Sequence, residues 1–270
     1  MAVLEFVRPS DSRGNRLRQH LLLQDPNQPV DYLCVDGCGD VVDQIVTCMA
    51  LVGGRDIDPA TLRTPDGSKW LDVYRYPREH RAEVQTLVAV LTNNLTLVKV
   101  PELDVGLALD FHMRGCDSGV EHTEAGHLMY RTKYATDPSV SRPAGSAICD
   151  RLAEVIRGHP LFATAGLIVA VPSTKTGISE RIAESVAHRV NKPWATAVES
   201  TGSTAENKDG TEGVTPKQYK APDRCFGENV IVMDDLYRSG SSMRGVAAAV
   251  KAQQAFFVYG LAATRTLRRK

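Results

Sequence analysis

Two adjacent carboxylates, Asp234 and Asp235, stand between a four-residue apolar run, Val230 to Met233, and the small residues Ser239-Gly240-Ser241-Ser242. An apolar run of that length followed by a helix reads as a buried strand, and open α/β sheets take their ligands at the carboxyl ends of such strands. The segment Leu236, Tyr237, Arg238, Ser239, Gly240, Ser241 and Ser242 then lies between strand and helix. Gly240 permits a tight turn, and the serines offer hydroxyls. The first amides of a helix over Met243 to Gln254 are unpaired donors at the positive end of its dipole. That combination cradles a phosphate group. The acids cannot bind phosphate directly; they suit sugar hydroxyls, a cation, or a positively charged transition state beside it. Carboxylates, hydroxyls and phosphate together describe a phosphorylated sugar. The plainer alternative is a polar strand end with a helix cap. The apolar run before the acids and the helix after them weigh against it.

A second stretch has related chemistry. Val171-Pro172-Ser173-Thr174-Lys175-Thr176-Gly177 follows the apolar run Leu167 to Val171 and precedes a helical pattern. Its amides and Lys175 suit a pyrophosphate, although such a stretch can also be an ordinary helix-start loop. Glu199 to Pro222 is almost devoid of apolar residues, and a loop that long inside a domain is usually functional or disordered. We expect a flexible loop over 199–222 that works as a lid.

The elements that must position these groups alternate helix and strand from about Gly126 onward. Ile148, Leu152, Val155 and Ile156 share one helical face, and so do Ile178, Ile182, Val186 and Val190. Leu167 to Val171, Trp194 to Val198, Val230 to Met233 and the run AFFVYGLAA read as strands. Short apolar runs joined by helices of this length predict right-handed crossovers and a parallel sheet covered on both faces. Upstream, Arg78 to Asn93 carries Val84, Leu87, Val88 and Leu91 on one face, and VDYLCVDG and LTLVKV are strand candidates.

Bulk composition narrows the partners. Lys plus Arg equals Asp plus Glu at 32 each, so no global charge argues for nucleic acid or a membrane surface. No apolar run approaches the roughly 20 residues of a membrane span. The N-terminus lacks the pattern of a signal peptide, and six scattered cysteines read as reduced thiols, which together predict a cytoplasmic protein.

The thirteen residues VIVMDDLYRSGSS, Val230 to Ser242, resemble the phosphoribosyl-pyrophosphate (PRPP) binding motif of the type I phosphoribosyltransferases. The resemblance implies a Rossmann-like parallel sheet over 124–270, with residues 1–123 as an N-terminal α/β region serving as hood or extra domain. Asp234 and Asp235 would contact the ribose 2- and 3-hydroxyls, stabilise developing positive charge, and meet a metal only indirectly, through Mg²⁺ and the ribose. Leu236 to Ser242 would wrap the 5-phosphate, with Arg238 standing where a small or hydroxylic residue is more usual. Ser173, Thr174, Lys175 and Thr176 fall in the place of the pyrophosphate loop. The catalytic loop of the family falls on 199–222, where Lys208, Lys217 and Lys220 are the cations available to the pyrophosphate. Leu128 to Ser139, LMYRTKYATDPS, together with VPSTKTG, is similar to the ComF-like branch, although the paired-cysteine ribbon common there is not matched by Cys34-Val-Asp-Gly-Cys38.

The implied reaction transfers ribose 5-phosphate from PRPP to a nitrogenous small-molecule acceptor and releases pyrophosphate, with Mg²⁺ bridging phosphate oxygens. The alternative is a non-catalytic PRPP- or nucleotide-binding regulator, or a ComF-like accessory of DNA uptake. No nucleic-acid or membrane partner is expected, and a homodimer is an open option. With the last core strand close to the final TLRRK, the expected source of the hood is the N-terminal half, where Tyr74, Arg75 and Tyr76 could meet an acceptor. Cys34, Cys38, Cys116, His122 and His127 are the residues from which a zinc site would be drawn, although the CVDGC spacing is one residue too long for the usual pair. Neither a Walker A nor a GxGxxG pattern is present.

Overall fold

A computed structural model describes residues 16–62, 67, 69–97, 100–116, 119–173, 176–200 and 218–266. Its first elements are β1 (Gln19–Gln24), β2 (Val30–Asp36), helix α1 (Gly39–Leu51), β3 (Arg55–Asp56), β4 (Asp72–Pro77) and helix α2 (Arg81–Asn93). The four strands make an antiparallel sheet in the order β1-β2-β4-β3. Alternation along β2 and β4 sends Leu33, Val35, Tyr74 and Tyr76 inward, where they join one buried cluster with Leu107, Ile148 and Ile168 of the following region. Asp31 on β2 is fully buried, and its two carboxylate oxygens pair with Arg78 at 3.0 Å and Arg81 at 2.5 Å. That pairing ties the sheet to the start of α2 and offsets the cost of burying the charge.

The chain continues through β5 (Leu95–Thr96), β6 (Val105–Phe111), the hairpin β7 (Met113–Cys116) and β8 (Gly119–His122), and helices α3 (Glu124–Tyr134), α4 (Pro138–Gly158) and α5 (Pro160–Ala163). Then come β9 (Leu167–Ala170), α6 (Ile178–Val190), β10 (Trp194–Thr196), the short ribbon β11 (Val198–Glu199) and β12 (Tyr219–Lys220), β13 (Asn229–Tyr237), α7 (Ser241–Ala252) and β14 (Phe257–Arg265). The main sheet has the order β10-β9-β13-β14-β6-β5. Its first five strands are parallel and β5 is antiparallel. This is the parallel α/β sheet expected from the alternating pattern, with apolar clusters on both faces. The sheet reaches upstream of residue 124, because β6, the run VGLALDF, lies beside β14. Of the described residues of LTLVKV, Leu95 and Thr96 are strand.

Register explains where a ligand can sit. Met233 pairs with Ala170, the last residue of β9, so β13 overhangs β9 by Asp234 to Tyr237. On its other side β13 stays paired with β14 through Tyr237 and Arg265, level with Phe111 of β6. The chain leaves β9 for β10 on one side and β13 for β14 on the other, so strand order reverses between β9 and β13, the place where doubly wound sheets open a crevice. Two expectations change here. The strand does not stop at Met233 but carries both acids, because β14 continues to satisfy its backbone. The helix begins at Ser241 rather than Met243, which confines the turn to Arg238, Ser239 and Gly240. No helix of the described residues is long and apolar enough to cross a membrane.

Candidate functional site

Asp234 and Asp235 are both buried, at 8% and 9% exposure. The Ser179 hydroxyl bridges them, at 3.3 Å from Asp234 Oδ1 and 3.0 Å from Asp235 Oδ1. Asp234 Oδ1 also accepts from the Asp235 amide at 2.9 Å, and Lys133 Nζ donates to Asp235 Oδ2 at 3.3 Å. Burial, and then the negative charge of Asp235, hold the Asp234 carboxyl well above the usual carboxylate range. Two adjacent acids do not both ionise easily in a buried site, so Asp234 holds its proton more tightly than a free carboxyl does.

Each supporting side chain is placed by an identifiable device. Ser179 enters from the first turn of α6, which starts after Gly177 in the left-handed region at φ 58. Lys133 comes from the last turn of α3. That helix is capped by the Thr123 hydroxyl, which accepts from the Gly126 amide at 3.0 Å. A Cβ at Gly126 would stand 1.8 Å from the His112 carbonyl oxygen, so only glycine lets α3 lie this close to the end of β6. Thr264 on β14 is fully buried, and its hydroxyl lies 3.4 Å from the Asp235 carbonyl oxygen.

Beyond the acids, the turn is shaped by Gly240, at φ 80. A Cβ there would fall 2.4 Å from the Tyr237 hydroxyl oxygen. Gly240 is also the N-cap of α7 and offers no side chain to its first amides, although Ser239 Oγ takes a long 3.4 Å contact from the Ser241 amide. Ser239, Ser241 and Ser242 are half-buried around this helix start, Leu236 is half-buried, Tyr237 is buried and Arg238 is exposed. Arg244, one turn on, makes a bidentate pair with Glu102 at 2.8 and 2.9 Å, fixing α7 to the loop before β6.

The loop after β9 lies beside this overhang, with the Val171 amide donating to the Met233 carbonyl at 2.8 Å. Ser173 Oγ and Thr176 Oγ1 are 3.0 Å apart, and the Ser173 amide donates to Glu180 Oε1 at 2.9 Å. A carboxylate thus already occupies one amide of this loop. Thr174 and Lys175 lie outside the described residues, as do Lys208 and Lys217. Lys220 is exposed on β12. Its neighbour Tyr219 bonds Ser242 and packs against the cluster under α7, so strand alternation turns Lys220 away from that helix. Among the described residues the cation at the acid pair is Lys133, to which the sequence alone assigns no role.

Tyr74 and Tyr76, candidate acceptor contacts, are instead buried in the shared core, and Arg75 donates to Gln28 at 2.6 Å. Among the described residues of 1–123, the β7–β8 hairpin stands at the carboxyl edge, where it follows directly from β6. Among the described residues, no three His, Cys, Asp or Glu side chains are placed to share a metal ion. Cys34 is buried, with its thiol pushed up to about 11 by desolvation. A cavity of about 330 Å³ lined by Asp40, Asp43, Gln44 and Leu103 lies at the start of β6, away from the acid pair.

No protein-family model matches the sequence, and no curated protein is similar to it. Among solved structures, the chain is similar to a hypothetical protein from Neisseria gonorrhoeae with bound ppGpp, at 16% identity over 47% of this chain and 70% of that one, TM-score 0.36. It is also similar to the orotate phosphoribosyltransferase of Aeropyrum pernix, at 21% identity over 56% of this chain and 72% of that one, TM-score 0.31. A third likeness is to the glutamine PRPP amidotransferase of B. subtilis, at 13% identity over 87% of this chain and 46% of that one, TM-score 0.35.

Proposed function

We propose that this chain is a type I phosphoribosyltransferase that moves ribose 5-phosphate from PRPP to a nitrogenous small-molecule acceptor and releases pyrophosphate. The observation that carries the reading is the overhanging end of β13. There two buried carboxylates, bridged by Ser179, run directly into a glycine turn and a helix start whose capping residue has no side chain. The turn and the first amides of α7 take the 5-phosphate. Asp234 and Asp235 take the ribose hydroxyls. The loop from Val171 to Gly177 takes the pyrophosphate, which displaces Glu180 from the Ser173 amide.

As the bond between ribose C1 and pyrophosphate breaks, positive charge grows on the sugar. The acid pair faces that charge and stabilises it through the ribose hydroxyls. Preorganised groups of this kind cost no reorganisation at the moment of reaction. The residues fit Mg²⁺ as a substrate-carried ion: it keeps several waters and binds one or two carboxylates plus substrate phosphates, so no cage of three protein ligands is required. When bound, Mg²⁺ neutralises the leaving pyrophosphate.

PRPP with Mg²⁺ raises the melting temperature of the parent, because only the folded state has the site, by about 2.7 kcal/mol of stability at a hundredfold excess over Kd. Asp234→Asn combined with Asp235→Asn abolishes the ligand-induced shift while the protein stays folded. An undiminished shift in the double variant refutes the assignment. Pyrophosphate release with a panel of bases and amines then identifies the acceptor.

A further inference from the structure

The carboxyl edge holds two imidazoles that the reading above does not use. His112 follows β6, and its amide donates to the Arg265 carbonyl at 2.6 Å, so the sheet fixes its backbone. Thr264 Oγ1 lies 3.4 Å from the Asp235 carbonyl oxygen and 3.3 Å from His112 Nδ1. A carbonyl only accepts, so the single hydroxyl hydrogen goes to Asp235. His112 Nδ1 must therefore supply the hydrogen for its own contact. His122 on β8 is held in the same way, with Nδ1 3.2 Å from the His112 carbonyl oxygen. Both rings then carry their proton on Nδ1 and present Nε2 as a bare lone pair. Among the described residues the hydrogen bonds of both rings run through Nδ1, which leaves each Nε2 lone pair available to a ligand.

The surroundings keep His112 neutral. Burial, then His122 from β8 and Lys133 from α3, lower it below the ordinary 6.5, with Asp235 from β13 pulling the other way. The other charged groups nearby are engaged elsewhere: Arg265 lies 5.7 Å over the Tyr237 ring, and Arg114 pairs with Glu121 across the hairpin. The two imidazole rings meet edge to face at 5.0 Å. A nitrogen acceptor that attacks C1 must lose a proton, and few groups here can take it. Lys133 is committed to Asp235, and the two carboxylates are assigned to the ribose hydroxyls.

We propose that His112 is the catalytic base of this site, an inference that rests on the phosphoribosyl-transfer reading. The acceptor nitrogen forms its bond to ribose C1 as the C1–O bond to pyrophosphate breaks, and that electron pair leaves on pyrophosphate. The acceptor's N–H proton passes to His112 Nε2 and from there to water. Thr264 and His122 are positioning residues that fix the tautomer and orientation of the ring.

The test uses the full chain with PRPP, Mg²⁺ and water as probe nucleophile, reading pyrophosphate release from pH 5 to 9. The parent rate falls on the acid side through a value below 6.5. His112→Gln lowers the rate by about 100-fold or more, within the range of general-base catalysis, and removes that acid limb. Its melting-temperature shift with PRPP stays at the parental size. Thr264→Val, which keeps the ring but loosens it, lowers the rate less and moves the limb toward the ordinary value. A His112→Gln variant with the parental rate and acid limb overturns the proposal, and so does a parent that binds PRPP yet releases no pyrophosphate at any pH. Independently of turnover, ¹⁵N shifts of labelled histidine must show His112 protonated on Nδ1; an Nε2–H tautomer overturns it even if the variants misfold. Absence of any PRPP-induced shift in the parent is a different result, since it removes the phosphoribosyl-transfer reading itself.

Discussion

Replacing Asp234 by asparagine removes a charge from the most strained electrostatic position in the site and should stabilise the empty protein. The two Ser179 hydrogen bonds, 3.3 and 3.0 Å long, limit the separation of the bridged carboxylate oxygens to about 6 Å. Two full negative charges that close repel by about 2–3 kcal/mol at an effective dielectric of about 20, and Lys133 offsets part of this. Asparagine still accepts from the Asp235 amide and the Ser179 hydroxyl, and its NH₂ donates to Asp235 as the protonated acid does. The pH dependence has a definite sign. Folding holds the Asp234 proton more tightly than the unfolded chain, so the stability it contributes is full below the unfolded value near 3.8. That stability is lost as pH rises through the higher folded value. Asp234→Asn should therefore raise unfolding free energy by about 1–3 kcal/mol at pH 8 and by less than about 0.5 kcal/mol at pH 3, below the unfolded value. Urea unfolding at both pH values, followed by circular dichroism, measures this difference directly. The same variant loses its PRPP-induced shift, which marks a site that is held at a cost to stability. Destabilisation at pH 8, or an equal gain at both pH values, would mean that Asp234 is a satisfied carboxylate and that folding does not tighten its hold on the proton.

Two glycines give further outcomes. Gly240→Ala forces a side chain into the left-handed region and against the Tyr237 hydroxyl, so it should cost about 1–2 kcal/mol in urea and shrink the PRPP-induced shift far more than that loss explains. Gly126→Ala drives a Cβ into the His112 carbonyl, which cannot give way without moving β6 or α3. A loss of about 3 kcal/mol or more is expected, and a variant within about 0.5 kcal/mol of the parent would show that α3 does not pack as described.

The parts of the site that could be read from sequence are those contiguous in the chain. Val230 to Ser242 carries strand, acids, turn and helix start in thirteen residues, so local patterning was enough to find it. The crossover helices were legible for the same reason: Ile148 to Ile156 and Ile178 to Val186 repeat at helical spacing and are buried where that spacing puts them, with Val190 partly buried at the helix end. Strand β6 escaped notice because Val105 to Phe111 sits in a half of the chain with no regular alternation. Nothing local says that it docks beside β14, whose sequence begins about 150 residues later. The end of β13 was misjudged because an acid pair reads as a strand terminus, whereas backbone pairing with β14 carries the strand through it.

What remained hidden is what converges from a distance. Lys133 lies 102 residues before the carboxylate it pairs with, and Ser179 lies 55 and 56 residues before the two acids it bridges. Lys133 sits inside the LMYRTKYATDPS stretch and Ser179 just after VPSTKTG, so both were in view without any spacing rule to give them a role. The physical signal that could have exposed them is a charge requirement. Two adjacent acids at the end of a buried strand need a cation and hydroxyl donors from neighbouring elements. A search for such donors in the first turn of the helix after β9, and on the helix entering the sheet from its other side, would have led to these two residues. The lysines of the long polar loop, Lys208, Lys217 and Lys220, are expected at the pyrophosphate, and that expectation leaves the partner of the acid pair unassigned. A buried charge is balanced by what the fold brings to it, and for Asp235 that partner comes from a helix far away in sequence.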